Sequence, residues 1–275
     1  SLPENLDQKL VPAQKLLMTA TLDNPLDADR IRTVLPLAAN SRLDYLTVLP
    51  ETDSTNAAIG RLPAELQHAH AILAEQQTRG RGRRERSWYS PAGGNIYLSL
   101  GWRFDSSELP LGTLPLTVAV CICRALEQTG LEGYAIKWPN DIQVKEKKLA
   151  GVLVELQSSG NGPALAVIGV GVNIHMPGQG AAATRIDRPW TDLASELPES
   201  GPMDRNRTAA LLLNELLAGL DQFESSGFDT FAAAWQDLDV LNGRKVRLEH
   251  AGEFISGTAR GIDELGGLLL ETADG

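Results

Sequence analysis

The sequence predicts an α+β protein, and three observations predict it. Apolar segments of strand period recur at residues 43–49, 71–75, 95–100, 149–156 and 164–174. Two long stretches of helical period, 111–128 and 204–224, lie between and after them. From Arg244 the pattern returns to period two in KVRLE, FISGTARGI and GLLLE, with turns at 250–252 and 263–267, which reads as a small antiparallel β unit. With 275 residues, 43% hydrophobic and 22% charged, the chain suits one large domain, alone or with a small one.

Residues 1–24 are mixed, with Pro3, Pro12 and Leu16-Leu17-Met18, and read as a linker or short helix. Asn24-Pro25-Leu26-Asp27 has the look of a helix start, and 28–35 of a helix ended by Pro36. Strand 43–49 ends at Pro50. The polar run Glu51-Thr52-Asp53-Ser54-Thr55-Asn56 then leads into a helix. Capping accounts for one or two of these side chains. Six exceed what a cap needs, and hydroxyls and amides at such a junction can hold a neutral polar ligand.

Strand 71–75 leads through Gln76 and Gln77 into the densest cationic stretch, TRGRGRRERSW. Arg79, Arg81, Arg83, Arg84 and Arg86 fall within eight residues, interleaved with Gly80 and Gly82. Arginine presents a planar fork of donors to phosphate or carboxylate oxygens. Glycine lets backbone approach a ligand closely. Taken alone, such a loop reads as a solvated basic loop or a nucleic-acid tail. The formal net charge of −10 makes it a positive island on an acidic body, which favours a small anionic ligand over a long polyanion. After Trp88, Tyr89 and a turn at Ser90-Pro91, Gly93-Gly94 leads into strand 95–100, followed by Trp102, Arg103 and a polar turn at 105–108.

Helix 111–128 is apolar on most of its surface and ends by Gly130–Gly133. The strand Tyr134-Ala135-Ile136 runs into Lys137-Trp138-Pro139-Asn140-Asp141. Pro139 holds Trp138 extended and stops the strand. Lys137 stands where the strand ends, a place where catalytic groups are often presented; by itself it reads first as a surface lysine beside a turn. Ile142-Gln143-Val144 resumes a strand, 145–148 reads as a charged hairpin turn, and strands 149–156 and 164–174 follow. Gly169-Val170-Gly171 marks close backbone approach or a bulge, with Asn173 at the polar end. Residues 177–202 read as loop with one short helix around 190–196, and 228–238 as a further helix closed near Asn242-Gly243.

Several classes are excluded. The sequence contains no P-loop, no G-x-G-x-x-G fingerprint and no G-x-S-x-G elbow. The four histidines are scattered, and the pair His68 and His70 lacks a third ligand nearby. Cys121 and Cys123 sit in an apolar segment and read as buried reduced thiols. No apolar run approaches the ~18 residues of a membrane span. No basic-then-apolar signal pattern opens the chain, so the expected location is cytoplasmic.

The succession DSTN, QTRGRGRRERSW, YSPAGGNIYLSL, KWPND, KKLAGVLVEL and VIGVGVNI, spread over about residues 25 to 275, resembles the biotin protein ligases. The resemblance implies a central mixed sheet covered by helices on one side, related to class II aminoacyl-tRNA synthetases, and a small SH3-like β-barrel. It divides the chain into an N-terminal linker or helix at 1–42, a catalytic domain at 43–241 and the C-terminal β unit at 242–275, which is shorter than the family's. Many bacterial members carry a winged helix-turn-helix and repress the biotin operon. The opening SLPE is similar to the tail that follows such a domain, and 1–45 contain no helix-turn-helix, so DNA is expected as a partner only if that domain precedes this chain.

The implied reaction joins biotin to ATP, giving biotinyl-5′-AMP and pyrophosphate. It then transfers biotin to a lysine of a biotin carboxyl carrier protein. By resemblance Ser54, Thr55, Asn56 and Gln77 bind biotin, and Arg81, Gly82 and Arg83 close over biotin and phosphate. Arg84, Arg86, Trp88, Asn140 and Asn173 face the nucleotide, with Asn140 and Asp141 holding Mg²⁺ and Asp141 its metal ligand. Lys137, with Arg83, is the expected catalytic cation. Exposed strand edges make a homodimer an expectation. The competing readings are a lipoate or octanoate ligase of the same fold, and a nucleic-acid-binding module built on the arginine loop.

Overall fold

The structure is a computed structural model that describes residues 24–106, 109–158, 163–176, 186–201, 203–250 and 252–272. Residues 1–23 of the expected N-terminal linker or helix lie outside the described residues. In chain order the helices are α1 (Ala28–Val34), α2 (Leu37–Asn40), α3 (Thr55–Gly60), α4 (Leu114–Glu127), α5 (Leu193–Glu196), α6 (Arg205–Ser226) and α7 (Asp229–Leu238). The strands are β1 (Tyr45–Leu49), β2 (His70–Ala74), β3 (Ile96–Phe104), β4 (Tyr134–Lys137), β5 (Asp141–Val144), β6 (Lys147–Ser158), β7 (Ala164–Val172), β8 (Lys245–His250), β9 (Glu253–Ile262) and β10 (Leu268–Glu271).

Seven strands form one sheet in the order β1-β2-β3-β7-β6-β5-β4. β1 and β2 pair in parallel and the other pairs are antiparallel, so the sheet is mixed. Alternation sorts its two faces. Ile96, Leu98, Leu100, Trp102 and Phe104 of β3 and Ala166, Ile168, Val170 and Val172 of β7 join the main core. That face is covered by α4, buried almost all round because eleven of its fourteen residues are shielded, and by α6. The opposite face carries only a small cluster of Ala58, Ile59, Ile72, Leu165 and Val167 under α3. The rest of that face is left for a site. β8, β9 and β10 make the separate three-stranded antiparallel sheet expected at the C-terminus.

Three boundaries differ from the sequence reading. β3 does not stop at residue 100 but continues through Trp102 to Phe104, paired to β7 throughout. The segment before residue 43 packs inward: Leu26, Ile31, Leu35 and Ala39 belong to the main core. The hairpin turn is confined to Lys145 and Glu146, both at positive φ (50° and 64°). Lys147 and Lys148, expected in that turn, are already in β6, opposite Val144 and Gln143.

One buried ion pair ties four stretches of chain together. Arg205 Nη2 lies 2.6 Å from Glu75 Oε2, with side chains 4% and 6% exposed. Arg205 also donates to the carbonyls of Asn95 and Asn24, and Glu75 Oε1 accepts from Leu26 N. With every charge partnered, this arrangement meets the condition for burying ions.

Candidate functional site

A cleft of about 810 Å³ opens on the uncovered face of the sheet. Its floor is glycine. Gly171 and Gly151 stand opposite each other, and Gly169 is two residues along β7. A Cβ at Gly171 would lie 2.6 Å from Trp88 Cε2, and one at Gly169 2.4 Å from Asn56 Oδ1. These strand glycines therefore exist for close approach, as G-V-G suggested, and let Trp88 and Asn56 lie directly on the backbone.

At one end stands the start of α3. Ser54 is its N-cap, extended, its side chain accepting from Ala57 N. Gln77 Oε1 accepts from Thr55 N at 2.9 Å and from its hydroxyl at 3.2 Å, while Gln77 Nε2 donates to Ser90 Oγ at 2.9 Å. Ser99 Oγ, from β3, is 2.7 Å from Thr55 Oγ1 and 2.6 Å from Asn56 Oδ1, close enough to donate to either. Asn56 Nδ2 donates to Glu155 Oε2 at 2.7 Å, and the same oxygen takes Arg81 Nη2 at 2.9 Å. A continuous polar chain thus runs from the arginine loop to Ser90. Buried hydroxyls and amides so linked form a rigid, orienting surface.

The other end is cationic. Lys148 Nζ lies 2.5 Å from Asp141 Oδ1 and 4.9 Å from the centroid of the Trp88 ring. Its side chain is only 15% exposed. Burial pushes the Lys148 ammonium below its ordinary range, and Asp141 pulls it partly back. Arg188 Nη1 approaches Asp141 Oδ2 at 3.6 Å. The segment carrying Arg188 is strapped to β6, with Lys148 N donating to Pro189 O and Thr191 N to Lys148 O. Arg83, Arg84 and Arg86 border the same space, exposed, and Arg84 Nη2 reaches Glu249 O on β8.

The sequence-predicted residues therefore converge on one cleft, in differing states. Lys137 lines it but is exposed at the end of β4. Asn140 holds the turn to β6, donating to Val152 O at 2.6 Å. Asn173 is buried and spends its amide hydrogens on backbone, on Thr191 O at 3.0 Å and Lys148 O at 3.5 Å. Asp141, expected to ligate metal, is engaged by two cations instead. Among the described residues no group of three or more His, Cys, Asp or Glu side chains is placed to hold a metal ion. Sequence reasoning missed Ser99, Lys148, Glu155 and Arg188. For Lys148 the KKLAG segment was the available signal, obscured because 145–148 reads as a turn.

A mixed sheet with a glycine-floored cleft, a polar α3 terminus and an arginine loop matches one known class. The model of the Biotin/lipoate A/B protein ligase family matches residues 48–173, and that of the Biotin protein ligase C terminal domain matches residues 242–275. The chain is 38% identical to the Bifunctional ligase/repressor BirA of Escherichia coli K12, over 82% of this chain and 69% of that protein. It is 34% identical to the Biotin–[acetyl-CoA-carboxylase] ligase of Mycobacterium tuberculosis, over 90% of each. The biotin protein ligase of Aquifex aeolicus, solved in complex with biotin and ATP, superposes with a TM-score of 0.71 at 28% identity, covering 85% of this chain and 94% of that one. Within that class, the chain belongs to the biotin protein ligase family.

Proposed function

We infer that this chain is an ATP-dependent biotin–protein ligase acting on a biotin carboxyl carrier protein. The observation that carries the reading is the joining of two unlike surfaces in one cleft. The polar chain through Ser99, Asn56 and Gln77 suits a neutral ring with its own donors and acceptors. Lys148 and the arginine loop suit phosphates. Hydroxyls and amides of this chain that can turn from one another to a ureido ring give biotin hydrogen bonds that a dithiolane ring does not return, which favours biotin over lipoate.

In the first step a carboxylate oxygen of biotin attacks the α-phosphorus of ATP, and the bond to the β-phosphate breaks to release pyrophosphate. Both reactants are anions, so cations fixed between them lower the barrier. Lys148 is the best placed of them, with Arg83 and Lys137 adding charge from the rim. Ser54, Thr55, Asn56, Gln77, Arg81 and Gly82 bind the biotin end, and Arg84, Arg86, Trp88, Asn140 and Asn173 shape the nucleotide end. Asp141 acts as counterion to Lys148 and Arg188; a Mg²⁺ bound with ATP would neutralise phosphate charge, held chiefly by the phosphates with Asn140 and Asp141 beside it. In the second step a carrier lysine attacks the acyl carbon and AMP leaves. The word repressor in the Escherichia coli name remains a statement about that protein.

Incubation with biotin, Mg²⁺, ATP and a carrier domain, followed by mass measurement of the carrier, tests the reading. A mass gain of one biotinyl group is expected. Modification with lipoate and none with biotin would overturn it.

A further inference from the structure

We propose that a second, smaller chamber beside Arg83 receives the lysine side chain of the acceptor protein. The proposal rests on the ligase reading above and adds the route by which the second substrate enters. The chamber holds about 190 Å³, room for several water-sized groups and so for a four-carbon stem with its nitrogen. It adjoins the main cleft, since Arg83, Trp138, Pro139 and Val152 line both. Its remaining walls come from Pro115 and Leu116 at the start of α4, Val154 of β6, and Gly112 and Gly266.

The chemistry of the walls selects the occupant. A methylene stem lies favourably along Trp138, Pro139, Leu116 and Val154. Arg83 is the one charged residue on the lining. No carboxylate is there to hold an ammonium, and the guanidinium disfavours one. The amine must be neutral to attack: its nitrogen forms the C–N bond, the C–O bond to AMP breaks with its electrons leaving on AMP, and the nitrogen's proton passes to solvent. The chamber is also built to stay open. Trp138 Nε1 donates to Gly266 O at 2.9 Å, which fixes the indole as a wall. Gly266 has φ of 81°, and a Cβ there would meet Leu116 Cδ1 at 3.1 Å. Beside it Leu265 is 73% exposed, an apolar contact for the protein that carries the lysine.

Val154 lines the chamber and not the main cleft. Val154→Phe fills the chamber, and Val154→Leu narrows it. Two rates are read for each variant: pyrophosphate release with biotin and ATP alone, and single-turnover transfer from preformed adenylate to a carrier domain. For Val154→Phe, release is expected within about twofold of the parent, and transfer roughly tenfold or more slower. Val154→Leu should show a smaller loss confined to transfer, and decides the matter if the Phe variant does not fold. Unchanged transfer in both variants, or equal loss of both rates, would overturn the proposal. Failure of the parent enzyme to release pyrophosphate would instead count against the ligase reading.

Discussion

Lys148 is fixed between an anion and an aromatic face: its Nζ is 2.5 Å from Asp141 Oδ1 and 4.9 Å from the Trp88 ring centroid. Such a cation, desolvated and preoriented, stabilises charge developing at a phosphate. Lys148→Met retains the stem and removes the charge. Pyrophosphate release should fall on the order of 10²–10³-fold. Lys137→Met, altering an exposed lysine, should cost about tenfold or less. Stopped-flow release assays separate the two; parity between Lys148→Met and the parent would remove Lys148 from the reaction.

The floor glycines predict a split between substrates. Gly169→Ala drives a methyl against Asn56, whose amide holds Glu155, and should weaken biotin binding by roughly tenfold or more. Gly171→Ala pushes on the Trp88 indole and should raise KM for ATP by a similar factor, about tenfold, while leaving biotin affinity nearly intact. Calorimetric titration with biotin, beside ATP kinetics, checks the pairing. Equal effects of both variants on both substrates would break it.

Arg83→Gly should uncouple the half-reactions. Arg83 borders both the main cleft and the smaller chamber, and its loop reaches the C-terminal sheet through the hydrogen bond from Arg84 to Glu249 O. Without the guanidinium the adenylate has lost a counter-charge and is less shielded from water. Faster escape of biotinyl-AMP is expected, with biotin appearing on lysines of an unrelated protein. A blot showing parental labelling despite normal adenylate formation would rule this out.

Burial raises both thiols, pushing Cys121 up to about 12 from 9.0 and Cys123 in the same direction. Below pH 9 both are protonated thiols in the folded chain, so alkylation at pH 8 should proceed only on unfolding. The raised value has a second consequence. The native state holds a proton that the unfolded chain gives up near 9.0, so this contribution to stability is present below pH 9 and lost as pH climbs toward about 12. Rapid labelling of the native protein by iodoacetamide would contradict the burial.

Glu75→Gln should destabilise the fold by about 3–5 kcal/mol, because Arg205 would remain buried without its counter-charge. Urea unfolding provides the measure. A double variant, Glu75→Gln with Arg205→Met, should recover part of the loss, since no charge is then stranded.

The helices and strands were legible where one periodicity dominated, as in α4 and β3, and α3 was legible from its cap. The polar run before it showed its surplus groups because Ser54 alone satisfies the cap, leaving Thr55 and Asn56 free to face Ser99 and Gln77. Lys148 was hidden by a β-bulge. Residues 142 and 143 face Ala150 and Lys148, so Leu149 is an extra residue in β6. A bulge re-aims the side chains beside it, and single-sequence alternation cannot register that. Glu155 and Arg188 were hidden for another reason: each acts through a partner 74 or 47 positions away, Arg81 and Asp141, and only the tertiary fold reveals such pairs.

The Glu75–Arg205 pair spans 130 residues of chain. On the ribosome, all the residues expected to touch biotin are made before Arg205 exists. At ~5–20 residues per second, Glu75 waits roughly ten seconds for its counter-charge. Until then the strand that leads to Gln77 ends in a carboxylate that stays hydrated, because burying it unpaired is too costly. A nascent chain can therefore display every residue expected to touch biotin and still have no cleft. Burial of the carboxylate beneath the ligand site waits for α6, a helix that contributes none of its residues to that site.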